Sequence, residues 1–286
     1  MSLPAELSIR DATPEDLPAI AALREEVGWG VHEWALRAVI GQPHARCALA
    51  VDGTGGLAAV GSGIAYGPLG FVGNMIVAEP YRRRGVGSAI LETVTDFLDA
   101  AGCRRLELNA TSDGRPLYER HGFETIGTSA TARIPRGVGL AGNGEVVRDA
   151  STEDLEVLLA YDRPRFGGDR RPLLELLVAD PGVRTMVAER DGTVAGYACL
   201  RTDPPRIGPF LADEPRVAEG LLAHAFASAP EVSELRLNLP PNNEPGAEWL
   251  RRLEVEVEPW DGRMGRGPRI PRRDDTVYGM AVGALG

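Results

Sequence analysis

Two glycines, Gly85 and Gly87, stand directly behind three consecutive arginines, Arg82, Arg83 and Arg84. Ahead of them runs an apolar segment, Phe71 to Val77, and after them Ile90, Val94, Phe97 and Leu98 recur at helical intervals. That order predicts a strand, a tight turn and a helix beginning at the glycines. The first turn of a helix carries unpaired N–H groups and a partial positive charge, so it attracts anions. Without Cβ atoms at 85 and 87, a bulky anion can approach the amides of Gly85, Val86, Gly87 and Ser88, and a diphosphate is the expected guest. The arginines add charge beside it, with one or two facing inward and the rest solvated.

Two other phosphate motifs are excluded by residue identity. A dinucleotide fingerprint requires a third glycine at position 90, which is Ile90, and a P-loop requires Gly-Lys-Ser/Thr, whereas the chain contains no lysine. The missing lysine also removes Schiff-base chemistry of the usual kind. About thirty residues further on comes Leu117-Tyr118-Glu119-Arg120-His121-Gly122-Phe123, whose tyrosine offers a phenol as a proton donor.

With these runs in order the chain resembles the GNAT superfamily of acyltransferases. Arg82, Gly85 and Gly87 fit its pattern Arg/Gln-x-x-Gly-x-Gly/Ala after the fourth strand, and Tyr118 with Gly122-Phe123 fits its later segment. The resemblance implies acetyl-CoA as co-substrate, no metal, and direct attack by an amine of a small molecule or peptide within a ternary complex. Catalysis then rests on positioning, oxyanion stabilisation and proton handling. By the same resemblance, Met75, Ile76 and Val77 offer backbone groups to the pantetheine arm and one N–H to the thioester oxygen, and Tyr118 protonates the departing thiolate. Asn109 corresponds to an asparagine near coenzyme A, although Thr111 to Pro116 intervene and break the family's spacing. Phe71 stands where some relatives carry a glutamate, so the base is open among Glu107, His32 and the chain-terminal carboxylate.

The segment Trp29-Gly30-Val31-His32-Glu33-Trp34 corresponds to one that lines the acceptor pocket in relatives, and its indoles could enclose an organic amine. Trp29, His32 and Trp34 are therefore candidate substrate contacts. They could equally anchor a short helix. Asp162 and Arg170, within an arginine-rich stretch of the second half, are candidates for the same cleft, or members of a solvated cluster.

The chain has 286 residues, room for two cores, and 43% apolar residues, as a globular protein needs. A formal charge of −10 argues against general nucleic-acid binding and mildly favours a cationic or neutral acceptor. Cys47, Cys103 and Cys199 have neither metal-ligand nor disulfide-scaffold spacing and read as small core residues. No long apolar run and no basic-then-apolar N-terminus occurs, so no membrane role is expected and the protein is expected in the cytoplasm, as monomer or homodimer.

The chain also repeats itself. Ile9-Arg10-Asp11-Ala12-Thr13-Pro14-Glu15-Asp16-Leu17 returns as Val147-Arg148-Asp149-Ala150-Ser151-Thr152-Glu153-Asp154-Leu155. In each, a strand ends at Arg-Asp-Ala and Thr13 or Ser151 caps a helix with Asp16 or Asp154 three places on. The first copy reads as strands at 6–10, 46–52, 56–66, 69–77, 105–109 and 124–132, with helices at 14–26, 32–40, 86–100 and 115–120. The second repeats that order with strands at 145–149, 183–190, 194–201, 206–211, 234–239 and 255–259, and helices at 152–160, 170–179, 215–227 and 246–253. The Gly/Pro-rich stretch 135–144 divides them.

The expected fold is therefore α/β, with a mixed sheet in each of two tandem GNAT-like domains: 1–135 binding acetyl-CoA and 145–286, a degenerate copy shaping the acceptor cleft. In the second copy Asp213 and Glu214 stand where the diphosphate would bind and are expected to neutralise that helix start. Phe166 to Arg170, Gly208-Pro209 and Tyr278-Gly279 resemble the C-terminal domain of a bacterial tandem group. Two alternatives are open: a non-catalytic acyl-CoA sensor, and an acyltransferase with a different acyl donor.

Overall fold

Both helix-start boxes read from the repeat are formed in the computed structural model, which describes residues 3–30, 33–140 and 146–286. The Thr13 amide donates to Asp16 Oδ2 at 2.8 Å and the Ser151 amide to Asp154 Oδ2 at 2.8 Å. Each aspartate also receives two guanidinium nitrogens, from Arg10 at 2.7 and 2.6 Å and from Arg148 at 3.0 and 2.7 Å. The two copies thus repeat an interaction as well as a sequence.

These contacts have a pH signature. The guanidinium beside each carboxylate, with burial opposing, lowers Asp16 and Asp154 from 3.8 to about 2. A carboxylate whose folded pKa lies below its unfolded value contributes stability above the unfolded pKa, and that contribution is lost as pH falls through the folded one. The window is therefore about pH 4 down to pH 2. Asp16→Asn and Asp154→Asn should each flatten the loss of thermal stability across that interval in a titrated melting series, relative to the parent.

The chain divides into two compact units, one of residues 1–124 with Met264–Arg269 and Leu285, the other of Thr125–Arg263 with Ile270–Ala284 and Gly286. In the first, β1 (Leu7–Asp11), β2 (Ala45–Asp52), β3 (Leu57–Tyr66) and β4 (Leu69–Val77) pair antiparallel in sequence order. Next, β5 (Arg105–Ala110) lies parallel to β4, a pairing that requires a crossover. Helix α3 (Val86–Ala100) supplies it and buries Val86, Ile90, Leu91, Val94 and Leu98. These pack with Ala48, Ala50, Val72, Leu106 and Leu108 in one core. Three shorter helices complete the unit: α1 (Leu17–Glu26), α2 (Glu33–Arg37) and α4 (Arg115–Arg120). The helix expected from 14 begins as a 3-10 turn at Pro14–Asp16, and the one expected over 32–40 is confined to α2.

The second unit has strand order β7 (Val146–Asp149), β8 (Val183–Arg190), β9 (Thr193–Thr202), β10 (Pro205–Ala212), β11 (Glu234–Leu239), β6 (Glu124–Pro135). Its helices are α5 (Leu155–Phe166), α6 (Arg171–Ala179), α7 (Pro215–Ser228) and α8 (Glu244–Arg252), with α7 the crossover between the parallel β10 and β11. Leu221, Leu222, Phe226, Leu235, Leu237 and Trp249 lie in its core.

Sequence order assigns residues up to 135 to the first copy, yet β6 from Thr125 onward is part of the second unit. There Ile134 opposes Leu235, Ala132 opposes Leu237, and Ala132 and Ile134 are fully buried in that unit's core. Conversely, Met264–Arg269, from the end of β12 (Glu256–Arg266), belong to the first unit, where Gly267 O accepts from Arg105 Nη1 at 2.7 Å. Each unit is thus completed by chain from the other copy. A thirteenth strand, β13 (Val277–Gly279), was not foreseen at all. Among the described residues, no helix is long and apolar enough to cross a membrane.

Candidate active site

In the first unit β4 and β5 run side by side only from Leu69 opposite Arg105 to Phe71 opposite Glu107. Beyond that the strands carry on, to Val77 and Ala110, without further pairs. A cleft therefore opens at the carboxyl ends of two parallel strands, the usual place for a ligand in such sheets. One wall is irregular. The β3–β4 register passes from Val60 opposite Ile76 to Ser62 opposite Gly73, so Asn74 and Met75 together face Gly61. Asn74 has φ 53°, and the strand bulges there. A bulge re-aims the backbone groups of the residues beside it.

What holds the bulge is a side chain that the sequence reading passed over. Arg24, on α1, is 6% exposed and donates from Nη1 to Asn74 Oδ1 at 2.5 Å and from Nε to Gly30 O at 2.9 Å. Asn74 in turn donates to Ser62 Oγ at 2.9 Å, and that hydroxyl donates to Gly73 O at 3.2 Å. The guanidinium also lies 5.9 Å from the centre of the Trp29 ring. No carboxylate among the described residues bonds it, and burial lowers its pKa. One buried cation thus fastens the Trp29–Gly30 turn to the irregular point of β4. The signal was present: Arg24 falls on the buried stripe Ile20, Leu23, Arg24, and Gly73-Asn74 interrupt an otherwise apolar strand.

After β4 the chain makes a 3-10 turn at Glu79–Tyr81 and enters α3 through Gly85, which is left-handed at φ 86°. Among the described residues no side chain caps the first turn of α3, so its amides are available to an anion. The three arginines behave differently from one another. Arg82 folds back, Nε donating to Val77 O at 2.9 Å; Arg84 pairs with Glu6 and lies over the Tyr81 ring at 5.8 Å; Arg83 is exposed with φ 59°. Val86 is buried, and Gly87 and Ser88 are half-buried. This donor set suits a diphosphate: N–H groups at a helix start with exposed guanidinium close by in sequence.

Along the cleft, Met75 and Val77 are half-buried and Ile76 is buried. Asn109 is half-buried near the end of β5. Tyr118, on α4, is 6% exposed, its ring edge-on to Phe123 at 6.1 Å, in the same core cluster as Val86 and Ile90. Glu107 is turned to Arg105, Oε1 accepting from Nε at 3.1 Å, with 3% of its side chain exposed; such a carboxylate is already committed to a cation. Trp29 is 38% exposed and Trp34 half-buried, while His32 lies outside the described residues. The three cysteines are buried free thiols, and no metal-capable cluster occurs among the described residues.

Asp162 and Arg170 lie in the second unit, where Arg170 also lines a small cavity with Phe166, Arg263 and Met280. Both are enclosed in the second unit, 0% and 1% exposed, as an ion pair in which Arg170 Nε donates to Asp162 Oδ1 at 3.1 Å. The Tyr197 hydroxyl donates to Asp162 Oδ2 at 2.5 Å, and Arg170 stacks on Phe166 at 4.0 Å. This buried pair joins α5 to the start of α6.

The second unit also contains the place where a matching cleft would open, between β10 and β11, which pair only at Arg206 opposite Arg236. Here the gap is filled. β13 pairs with β10, Phe210 opposite Gly279 and Leu211 opposite Val277, and the Met280 amide donates to Asn238 O on β11 at 2.8 Å. Even a Cβ on Gly208 would come within 2.1 Å of Met280 O. Glu214 is the N-cap residue of α7, and its side chain makes no capping hydrogen bond. Asp213 accepts from Arg165 at 2.5 Å and from Tyr161 at 3.1 Å, and Glu214 pairs with Arg190. Arginine is the stronger partner for a surface carboxylate than an uncharged amide.

Comparison with known proteins agrees with this geometry. Two profiles of the acetyltransferase (GNAT) domain match, one over residues 43–125 and the other over 158–279. A Bacillus subtilis (strain 168) protein described as an uncharacterised N-acetyltransferase, YitH, is 29% identical over 227 residues, 77% of this chain and 78% of that protein. The crystal structure of a putative acetyltransferase from Pyrococcus horikoshii superposes with TM-score 0.83 at 24% identity, covering 100% of this chain and 98% of that one. A tandem GNAT protein from the clavulanic acid biosynthesis pathway superposes with TM-score 0.65 at 16% identity, covering 92% and 100%. With two such domains in succession, a mixed sheet in each unit and an uncapped helix start beside parted parallel strands in the first, the chain belongs to the GNAT acyltransferases as a tandem-domain member.

Proposed function

We propose that the first unit transfers an acetyl group from acetyl-CoA to a primary amine of a small molecule or peptide, by direct attack with both substrates bound. The observation that carries this reading is the helix start at Gly85, without a side-chain cap, following a strand that has parted from its parallel neighbour. In this reading the amides of residues 85–88 hold the diphosphate, assisted by Arg83 and by rearrangement of Arg82 and Arg84. Backbone groups of Met75, Ile76 and Val77 line the pantetheine arm. The bulge at Asn74 and Met75 turns a strand N–H toward the thioester oxygen, where a fixed donor stabilises developing charge. Tyr118 gives its proton to the departing thiolate, with Asn109 alongside the cofactor arm and Trp29 and Trp34 against the amine. The second unit, its own cleft filled by β13, contributes no donor site. A cytoplasmic setting belongs to the same proposal.

The test is turnover of acetyl-CoA against pooled amines, repeated with Tyr118→Phe. A positioned general acid contributes roughly 10²–10⁴ in rate, so the variant should lose about 100-fold in kcat and bind coenzyme A within about threefold of the parent. Undiminished turnover in the variant would remove Tyr118 from the reaction. Tight coenzyme A binding without turnover on any amine would favour a sensor.

A further inference from the structure

In the second unit four arginines occupy one rung of the sheet. Arg201 on β9 is directly opposite Arg206 on β10, Arg206 opposite Arg236 on β11, and Arg236 opposite Arg133 on β6. Directly opposed cross-strand residues share a face, and like charges so placed repel. The neighbours in sequence, Leu200, Ile207, Leu235, Leu237 and Ile134, belong to the core on the other side, so the row lies on the face away from it.

Burial is graded along the rung. Arg201 and Arg206 are 6% and 8% exposed, Arg236 is half-buried, and 47% of the Arg133 side chain is open to solvent. Arg201 Nη2 reaches Gly208 O and Ala281 O, each at 3.3 Å, and Arg206 Nη2 reaches Asn238 Oδ1 at 2.8 Å. Arg206 Nη1 and Arg236 Nε are buried and have no hydrogen-bond partner among the described residues. Burial and the neighbouring guanidinium groups lower Arg206 to about 10. At the exposed end Glu234 accepts from Arg133 at 3.3 Å, and the charges of Glu258 and Asp180 act on Arg236 and Arg201 from further off. Stacking guanidinium groups in register, with Arg206 removed from water and its Nη1 unpaired, is costly unless a negative charge completes the row.

We propose that this row is an anion site for a small molecule carrying two or more carboxylate or phosphate groups. The ligand lies over Arg236 and Arg133, which are open enough to meet it, while Arg206 and Arg201 supply charge from beneath. Neighbouring strands are about 4.8 Å apart, so Arg206 to Arg133 spans roughly 10 Å, matching two oxyanion groups separated by a few bonds. Guanidinium engages either oxyanion with paired hydrogen bonds. This site is independent of the donor cradle in the first unit and stands whether or not that cradle binds coenzyme A.

The full-length chain is titrated calorimetrically, at constant ionic strength, with acetate, succinate, citrate, inorganic phosphate and pyrophosphate. Parent, Arg236→Gln and Arg133→Gln are compared; both positions are accessible enough for the variants to fold, which circular dichroism checks. At least one multivalent anion should bind saturably and more tightly than its monovalent counterpart. Arg236→Gln should weaken that binding at least tenfold and Arg133→Gln severalfold. Preference for citrate or for pyrophosphate then tells carboxylate from phosphate. Equal binding by parent and both variants, which would put the anion elsewhere, or no saturable binding of any probe, would overturn the proposal.

Discussion

Replacing Gly85 by valine should weaken coenzyme A binding at least 100-fold, while Gly87→Ala should leave it within about threefold. The two glycines look equivalent in sequence and are not equivalent in the structure. Gly85 enters α3 at φ 86°, a left-handed conformation that costs an L-residue about 1–2 kcal/mol and a β-branched one more. Valine escapes that cost by turning the peptide, which re-aims the first amides of the helix and puts a branched side chain beside them. At Gly87 a Cβ would meet Leu117 and Val77 at 3.4 Å, ordinary contact distance, on the packed side of the helix. Calorimetric titration of both variants checks the contrast. Equal loss in the two would mean that the amides are not aimed as described.

Arg24→Met should lower kcat about 100-fold at saturating acetyl-CoA and leave coenzyme A affinity within threefold. Losing the guanidinium strands the buried Asn74 Oδ1, and a buried acceptor left unpaired costs about 1–3 kcal/mol, whereas the carbonyl of exposed Gly30 can turn to water. Removing a buried cation that lacks a carboxylate partner returns part of that loss, so the melting temperature should fall modestly. Arg24 is a positioning residue: it acts through Asn74 on the bulge of β4 and through Gly30 on the turn that carries Trp29. Arg24→Lys should not restore turnover, since an ammonium cannot reproduce the planar fork that reaches both acceptors. A fall in stability with kcat preserved would reduce Arg24 to a packing role.

Local features were legible in the sequence. The duplicated Arg-Asp-Ala boxes, the strand-to-helix junction at Gly85 and the helical spacing of Ile90, Val94 and Leu98 depend on neighbours within a turn or two, and each is formed. Features that depend on distant partners were not. Nothing in residues 125–135 says that they pair with β11, because an alternating strand fits any sheet of matching register. The three residues of β13 are too few to show a period, yet they fill the cleft that distinguishes the second unit from the first. Charged residues are read as solvent-facing by default, which hid Arg24 and the arginine rung; Asp162 and Arg170 were named as candidates, but their burial as an ion pair was not foreseen. Among the candidate site residues, the helix start at Gly85 was visible through its glycines, and Arg24, the buried tie that holds the bulge, was missed.

A donor cleft open in the first unit and filled by β13 in the second predicts a single coenzyme A site per chain. Isothermal titration of the full chain with coenzyme A counts the sites directly. One equivalent per chain is the expected result; two equivalents, or none with correctly folded protein, would contradict it.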